Sequence, residues 1–174
     1  MAVTDDALCL QDGDPHAAIR DAATLEQAIA QACLEMSLGR PDLLVYAYFS
    51  PAEGESLQPL GKLFGEDAIN HGELAGTLFR RGAEGTVFTE AVCRLGRPVW
   101  TSTIPRFGWH GLAACFRAHG IKSGGGFPVR LGERMAAVIE VMSTERLQCD
   151  LASEALAAEL AEAIAQRFHT LKLA

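Results

Sequence analysis

Apolar positions recur along this chain with two periods, one helical and one of strands, and the changes between them outline the fold. From Thr24-Leu25-Glu26-Gln27, where a hydroxyl can cap a free backbone N–H and a glutamine can reach back, Leu25, Ile29, Ala32, Cys33 and Met36 follow at helical spacing. Gly39-Arg40-Pro41 ends that helix, because glycine accepts a left-handed backbone and proline cannot continue the ladder. Residues 43–49, Leu-Leu-Val-Tyr-Ala-Tyr-Phe, are an unbroken apolar run between Pro41 and Ser50-Pro51, as expected of a buried central strand. A turn over 51–54 leads to a second strand around 57–64, antiparallel to the first. Between Glu66 and Arg81, Ile69, Leu74, Leu78 and Phe79 form a weak helical pattern broken by Gly72 and Gly76.

Val87, Ala91, Val92 and Leu95 share one face of a short helix over 86–95, which Gly96 ends ahead of a strand at 98–101. A loop through Pro105-Arg106-Phe107-Gly108-Trp109 enters a helix over 110–119 closed by Gly120. Residues 123–129 and 135–142 read as the two strands of a hairpin. Asp150 can cap the last helix, in which Leu156, Leu160, Ile164, Phe168 and Leu171 make a stripe at spacings of four and three. This order predicts an α+β fold, an antiparallel sheet with helices packed on its faces. Residues 1–21 lack periodicity and read as a flexible leader, which leaves one domain over 22–174.

Composition narrows the function. The 174 residues suffice for one ordinary core, and 49% hydrophobic with 21% charged residues is the balance of a globular protein. Fifteen basic against 22 acidic residues give a net charge of −7, with no basic cluster longer than Arg80-Arg81, which argues against nucleic acid and anionic membranes as partners. No apolar stretch reaches the length of a membrane span and residues 1–6 do not resemble a secretory signal, so the expected location is cytoplasmic. Cys9, Cys33, Cys93, Cys115 and Cys149 contain no C-x-x-C pair and are expected to be reduced, mostly buried thiols.

Glu84-Gly85-Thr86-Val87, then Ala91-Val92-Cys93-Arg94-Leu95-Gly96-Arg97-Pro98-Val99-Trp100, resembles the GAF-domain signature, an acidic-Gly turn opening a short helix before a Gly-Arg-Pro-Val strand. Ala118-His119-Gly120-Ile121-Lys122-Ser123, Phe127-Pro128-Val129 and the run from Gly132 through Glu140 to Ser143 resemble that family's closing hairpin. The resemblance spans about residues 22–172. It implies a central antiparallel sheet of five or six strands, with the terminal helices on one face and a ligand pocket formed by helices and loops on the other.

The chemistry of known GAF subclasses is only partly matched. Lys62-Leu63-Phe64 lacks the preceding Asn expected for cyclic nucleotides, and Cys115 is followed by Phe116 rather than the His usual in bilin attachment. Cys115 and His119 share a helix face, a spacing able to hold a metal or tetrapyrrole but equally that of a core thiol beside a helix-terminal histidine. His71, His110 and His119 are candidate haem ligands, against the ordinary role of surface or hydrogen-bonded histidines. GAF relatives that reduce free methionine sulfoxide use several cysteines near a small pocket, and no resolving pair is recognisable here.

The segment from Trp100 to Phe127 is the expected pocket. It concentrates Trp100, Phe107, Trp109, His110, Cys115, Phe116 and Phe127, supplies Arg106 and Arg117 as anion anchors, and contains Gly124-Gly125-Gly126, where a ligand, a helix or a bulge would approach the backbone. Its alternative is a hydrophobic core with two solvated arginines. The sequence therefore predicts a regulatory domain in signal transduction that binds a small molecule, without catalysis or a metal of its own, and leaves ligand and cofactor unidentified; the alternatives are a GAF-type thiol enzyme like the free methionine sulfoxide reductases and a dimerisation module without a ligand. A homodimer through the terminal helices is expected, with docking of the last helix inside its own chain as the alternative use of its stripe.

Overall fold

The computed structural model describes residues 16–106, 111–147 and 151–171. Helices α1 (Ala17–Arg20) and α2 (Leu25–Ser37) precede β1 (Leu43–Phe49) and the short β2 (Gln58–Pro59). After a 3-10 turn at Ala68–His71 come α3 (Gly72–Arg80), α4 (Val87–Leu95), β3 (Val99–Thr101) and α5 (Leu112–Ala118). The hairpin of β4 (Ser123–Leu131) and β5 (Arg134–Ser143) leads to α6 (Leu151–Leu171). The five strands form one antiparallel sheet in the order β2-β1-β5-β4-β3.

All seven residues of β1 are buried, because both faces of the sheet are covered. Its odd-numbered residues, Leu43, Val45, Ala47 and Phe49, join Ile139 and Val141 of β5 in a core closed by α2 and α6. Leu44, Tyr46 and Tyr48 face the other way, with Met142, into a second core under α3, α4 and α5. The terminal helices thus occupy one face and the middle helices the other.

Local chemistry explains the element ends. The Gln27 N–H donates to Thr24 Oγ1 at 3.2 Å, while Gln27 Oε1 accepts from the Ala23 N–H at 3.0 Å, a reciprocal cap at the start of α2. Gly96 takes φ 67° and stops α4. In α6, Leu160 and Ile164 are fully buried, with Leu156 and Phe168 packed against the same core. The stripe therefore docks the helix within its own chain, and each of its two central side chains contributes roughly 1.5–3 kcal/mol by burial. Leu171 ends the helix.

Three expectations change. The strand anticipated over 57–64 contracts to Gln58–Pro59 plus a single bridge from Phe64 to Val45, because Pro59 has no N–H to donate and Gly61 turns away at φ 81°. The helix anticipated over 110–119 is described from Leu112 to Ala118. Within the stretch read as a leader, α1 buries Ile19 completely and His16 Nδ1 lies 3.0 Å from Glu35 Oε2 on α2, while residues 1–15 lie outside the described residues. Asp150 lies outside the described residues.

Candidate functional site

The middle-helix face holds a carboxyl group at the centre of the sheet, among mostly apolar side chains. Glu140 sits midway along β5, fully buried, opposite Tyr46 of β1 and Gly126 of β4. Strand alternation aims it under the start of α4. There its Oε1 accepts from the Thr86 hydroxyl, from the Thr89 N–H at 3.0 Å and from the Thr89 hydroxyl at 2.5 Å. Thr86 is also the N-cap of α4, accepting from the Phe88 N–H at 3.0 Å. The glutamate thereby satisfies a backbone donor that the first turn of α4 leaves open, and the positive end of the helix favours its negative charge.

Its second oxygen is different. Glu140 Oε2 is buried and has no hydrogen-bond partner, and neither has the buried hydroxyl of Tyr46. The Gly61 backbone lies toward the Tyr46 hydroxyl without closing a hydrogen bond. By contrast Tyr48, two residues on, donates to the Leu78 carbonyl at 2.9 Å. Burial pushes the Glu140 carboxyl up to about 7, against the lowering effect of the Thr86 and Thr89 hydrogen bonds and of the Arg81 guanidinium. Tyr46 is pushed up to about 12, chiefly by burial, with the nearby Glu140 charge acting in the same direction. Near neutrality this carboxyl is therefore poised between its two states. An open groove bordered by Thr77, Arg80, Arg81 and Glu84 lies on the Arg81 side.

The three glycines of β4 fit this arrangement. A Cβ on Gly126 would meet Val92 Cγ2 at 3.0 Å, and one on Gly124 would meet the Phe88 ring at 3.2 Å. Their absence lets α4 settle directly on the sheet, so the close approach anticipated from the glycine run is that of a helix. Gly125 points to the other face, where a Cβ would lie 2.5 Å from the Trp100 ring.

The residues expected to line one pocket are separated by the sheet. Trp100 and Phe127 pack together at 6.5 Å between ring centroids on the terminal-helix face, and Trp100 Nε1 donates to the Leu147 carbonyl at 3.0 Å. Phe116 lies on the opposite face, fully buried and stacked on Phe88 at 6.2 Å. The single hollow expected from these aromatics is thus corrected: Trp100 on β3 and Phe127 on β4 face the terminal helices, whereas Phe116 lies on α5, which packs against the opposite face. Cys115 is half-buried on α5, and Arg117 is exposed and donates to the Pro105 carbonyl. Phe107, Trp109 and His110 lie outside the described residues.

His119 does not pair with Cys115. Its Nδ1 is 3.2 Å from Nδ1 of His71, whose Nε2 is 3.2 Å from Asp67 Oδ2, so the histidines join the start of α3 to the end of α5. Among the described residues no group of three or more His, Cys, Asp or Glu side chains is arranged to hold a metal ion. Cys33 is buried in the α2–α6 core, where desolvation pushes its thiol far up, and partial burial raises Cys93. No described helix is long and apolar enough to cross a membrane.

No protein-family model and no curated protein matches the sequence. Solved structures do match the fold. A GAF domain/HD domain protein from Geobacter sulfurreducens aligns at TM-score 0.62 and 10% identity, over 85% of this chain and 95% of that one. The GAF domain of a two-component sensor histidine kinase from Bacillus halodurans aligns at 0.57 and 13%, over 87% and 98%. The free methionine-R-sulfoxide reductase from Neisseria meningitidis, solved in complex with its substrate, aligns at 0.61 and 15%, over 89% and 84%. The chain thus has a GAF-like fold, an architecture that in these neighbours serves both signalling proteins and an enzyme.

Sequence reasoning passed over Glu140, Tyr46, Thr86 and Thr89 as a group. The available signal was a lone acidic residue inside the apolar strand Met135 to Met142, since a charge at the centre of a sheet covered on both faces must have a structural or chemical partner.

Proposed function

We propose that this chain is a regulatory GAF-type domain that binds a small organic molecule on its middle-helix face, with Glu140 as the polar contact. The observation that carries the reading is the buried, unpartnered Oε2 of Glu140, joined on the same face by the unpartnered hydroxyl of Tyr46. An unsatisfied buried acceptor costs about 1–3 kcal/mol, and more when charged. A ligand bearing an amine or amide donor would recover that cost, and Phe88, Phe116 and Leu74 supply apolar surface around it. Occupancy would displace α4, which is held by the same carboxylate and flanked by Gly85 and Gly96 at φ 63° and 67°. A donor on Oε2 favours the ionised carboxylate, so binding near pH 7 would release a proton.

The test is native mass spectrometry and an absorption spectrum of the purified protein, followed by thermal-shift screening of small amine- and amide-bearing compounds. A hit that stabilises the wild type but not Glu140→Gln supports the reading. Hits that stabilise both equally, or none across the set, defeat it.

A second reading, a thiol enzyme acting on free methionine sulfoxide, is favoured by the likeness to the Neisseria reductase. Among the described residues, Cys93 on α4 and Cys115 on α5 are the cysteines on this face, whereas Cys33 is walled off beneath α2. Turnover of methionine sulfoxide that disappears in Cys93→Ser or Cys115→Ser would replace the binding reading with this one.

A further inference from the structure

At the end of the sheet where β4 begins and β5 ends, a recess of about 130 Å³ is lined by Thr103, Ile104, Arg117, Ile121, Lys122 and Arg146. Three of the six are cations and none is a carboxylate, in a chain that carries a net charge of −7. Its floor is apolar, since Ile104 and Ile121 are buried.

Hydrogen bonds fix the backbone from which these cations project. The Ile104 N–H donates to the Lys122 carbonyl at 3.1 Å and the Lys122 N–H to the Ser143 carbonyl at 2.8 Å, so both backbone groups of Lys122 are held. The Ser123 hydroxyl donates to the Glu145 carbonyl at 2.6 Å and accepts from the Leu147 N–H at 3.2 Å, which clamps the segment carrying Arg146. Arg117 is steadied through the Pro105 carbonyl, and Thr103 through a 3.3 Å bond from its N–H to the Thr101 hydroxyl. Three like charges lining a small hollow repel one another, and that repulsion is relieved when an anion enters. Guanidinium groups present paired donors that match tetrahedral oxyanions, and an ammonium adds a point charge.

We propose that this recess is a phosphate-binding site, recognising either free inorganic phosphate or the terminal phosphate of a small phosphomonoester. The recess is separate from Glu140 and the proposal does not depend on the function proposed above. Its size suits a compact dianion rather than an extended polyanion, and the acidic remainder of the surface disfavours nucleic acid.

The test is a titration of the isotope-labelled chain with inorganic phosphate, then with glycerol phosphate, at constant ionic strength and followed by NMR. Saturable shifts at Thr103, Ile121, Lys122 and Arg146 are expected. Arg146→Ala, an exposed position, should weaken binding about tenfold or more, as should Arg117→Ala, while Arg130→Ala at the far end of β4 leaves it unchanged. Equal affinities would point to free phosphate, and tighter binding of the ester to a phosphorylated metabolite. Shifts that sodium chloride reproduces, or affinity unaltered by Arg146→Ala, would overturn the proposal.

Discussion

Replacing Glu140 by Gln isolates the energetic role of the buried carboxyl. The amide keeps an oxygen for Thr86 and Thr89 but cannot ionise. In the folded wild type the carboxyl is raised from 4.5 to about 7 by burial. Its protonated form is therefore favoured by folding: the stabilisation is fully present below about pH 4.5 and is lost as pH rises toward 7. At about 1.4 kcal/mol for each pH unit, that interval amounts to roughly 3 kcal/mol. Urea denaturation of both proteins across pH 4.5 to 8 should show the variant gaining on the wild type by about this amount, with the difference levelling off above pH 7. Any constant offset from the amide's own unmatched donors cancels, because only the change with pH is read. A difference independent of pH would refute the reasoning, showing either that Glu140 stays ionised when folded or that water reaches it.

Other substitutions probe the surroundings. Thr89→Val removes a donor that lowers the Glu140 carboxyl, so the upper end of its titration window should move to higher pH in the same denaturation series. Thr86→Ala deletes the N-cap of α4 and should cost about 1 kcal/mol of stability, or more because the Glu140 contact goes with it. Gly125→Ala forces a methyl against the Val99 carbonyl and the Trp100 ring; a loss of about 1–3 kcal/mol and a shifted tryptophan emission spectrum are expected. In thiol labelling of the native protein, exposed Cys93 should react ahead of the other described cysteines, and Cys33 only when the chain unfolds.

The architecture was legible because its signals are local. The reciprocal cap at Thr24 and Gln27, the apolar run of β1 and the glycine stop at Gly96 each act over a few residues and appear in the structure as written in the sequence. What failed was the inference from clustering along the chain to clustering in space. Trp100 and Phe116 are sixteen positions apart, yet the sheet passes between them, and face assignment depends on register with β4 and β5, which no local pattern specifies. The Glu140 group was obscured for the same reason, since Thr86 and Thr89 meet it only across more than fifty residues. The His71–His119 contact likewise spans 48 positions.

The outer strands of the sheet are its shortest, two residues in β2 and three in β3. So little unpaired ladder gives an incoming strand almost no template, and Pro59 removes one donor even from that. An added strand would therefore gain few backbone hydrogen bonds from β2 or β3 themselves. Contacts made through helical surfaces would instead leave in place the framework that supports the buried carboxyl.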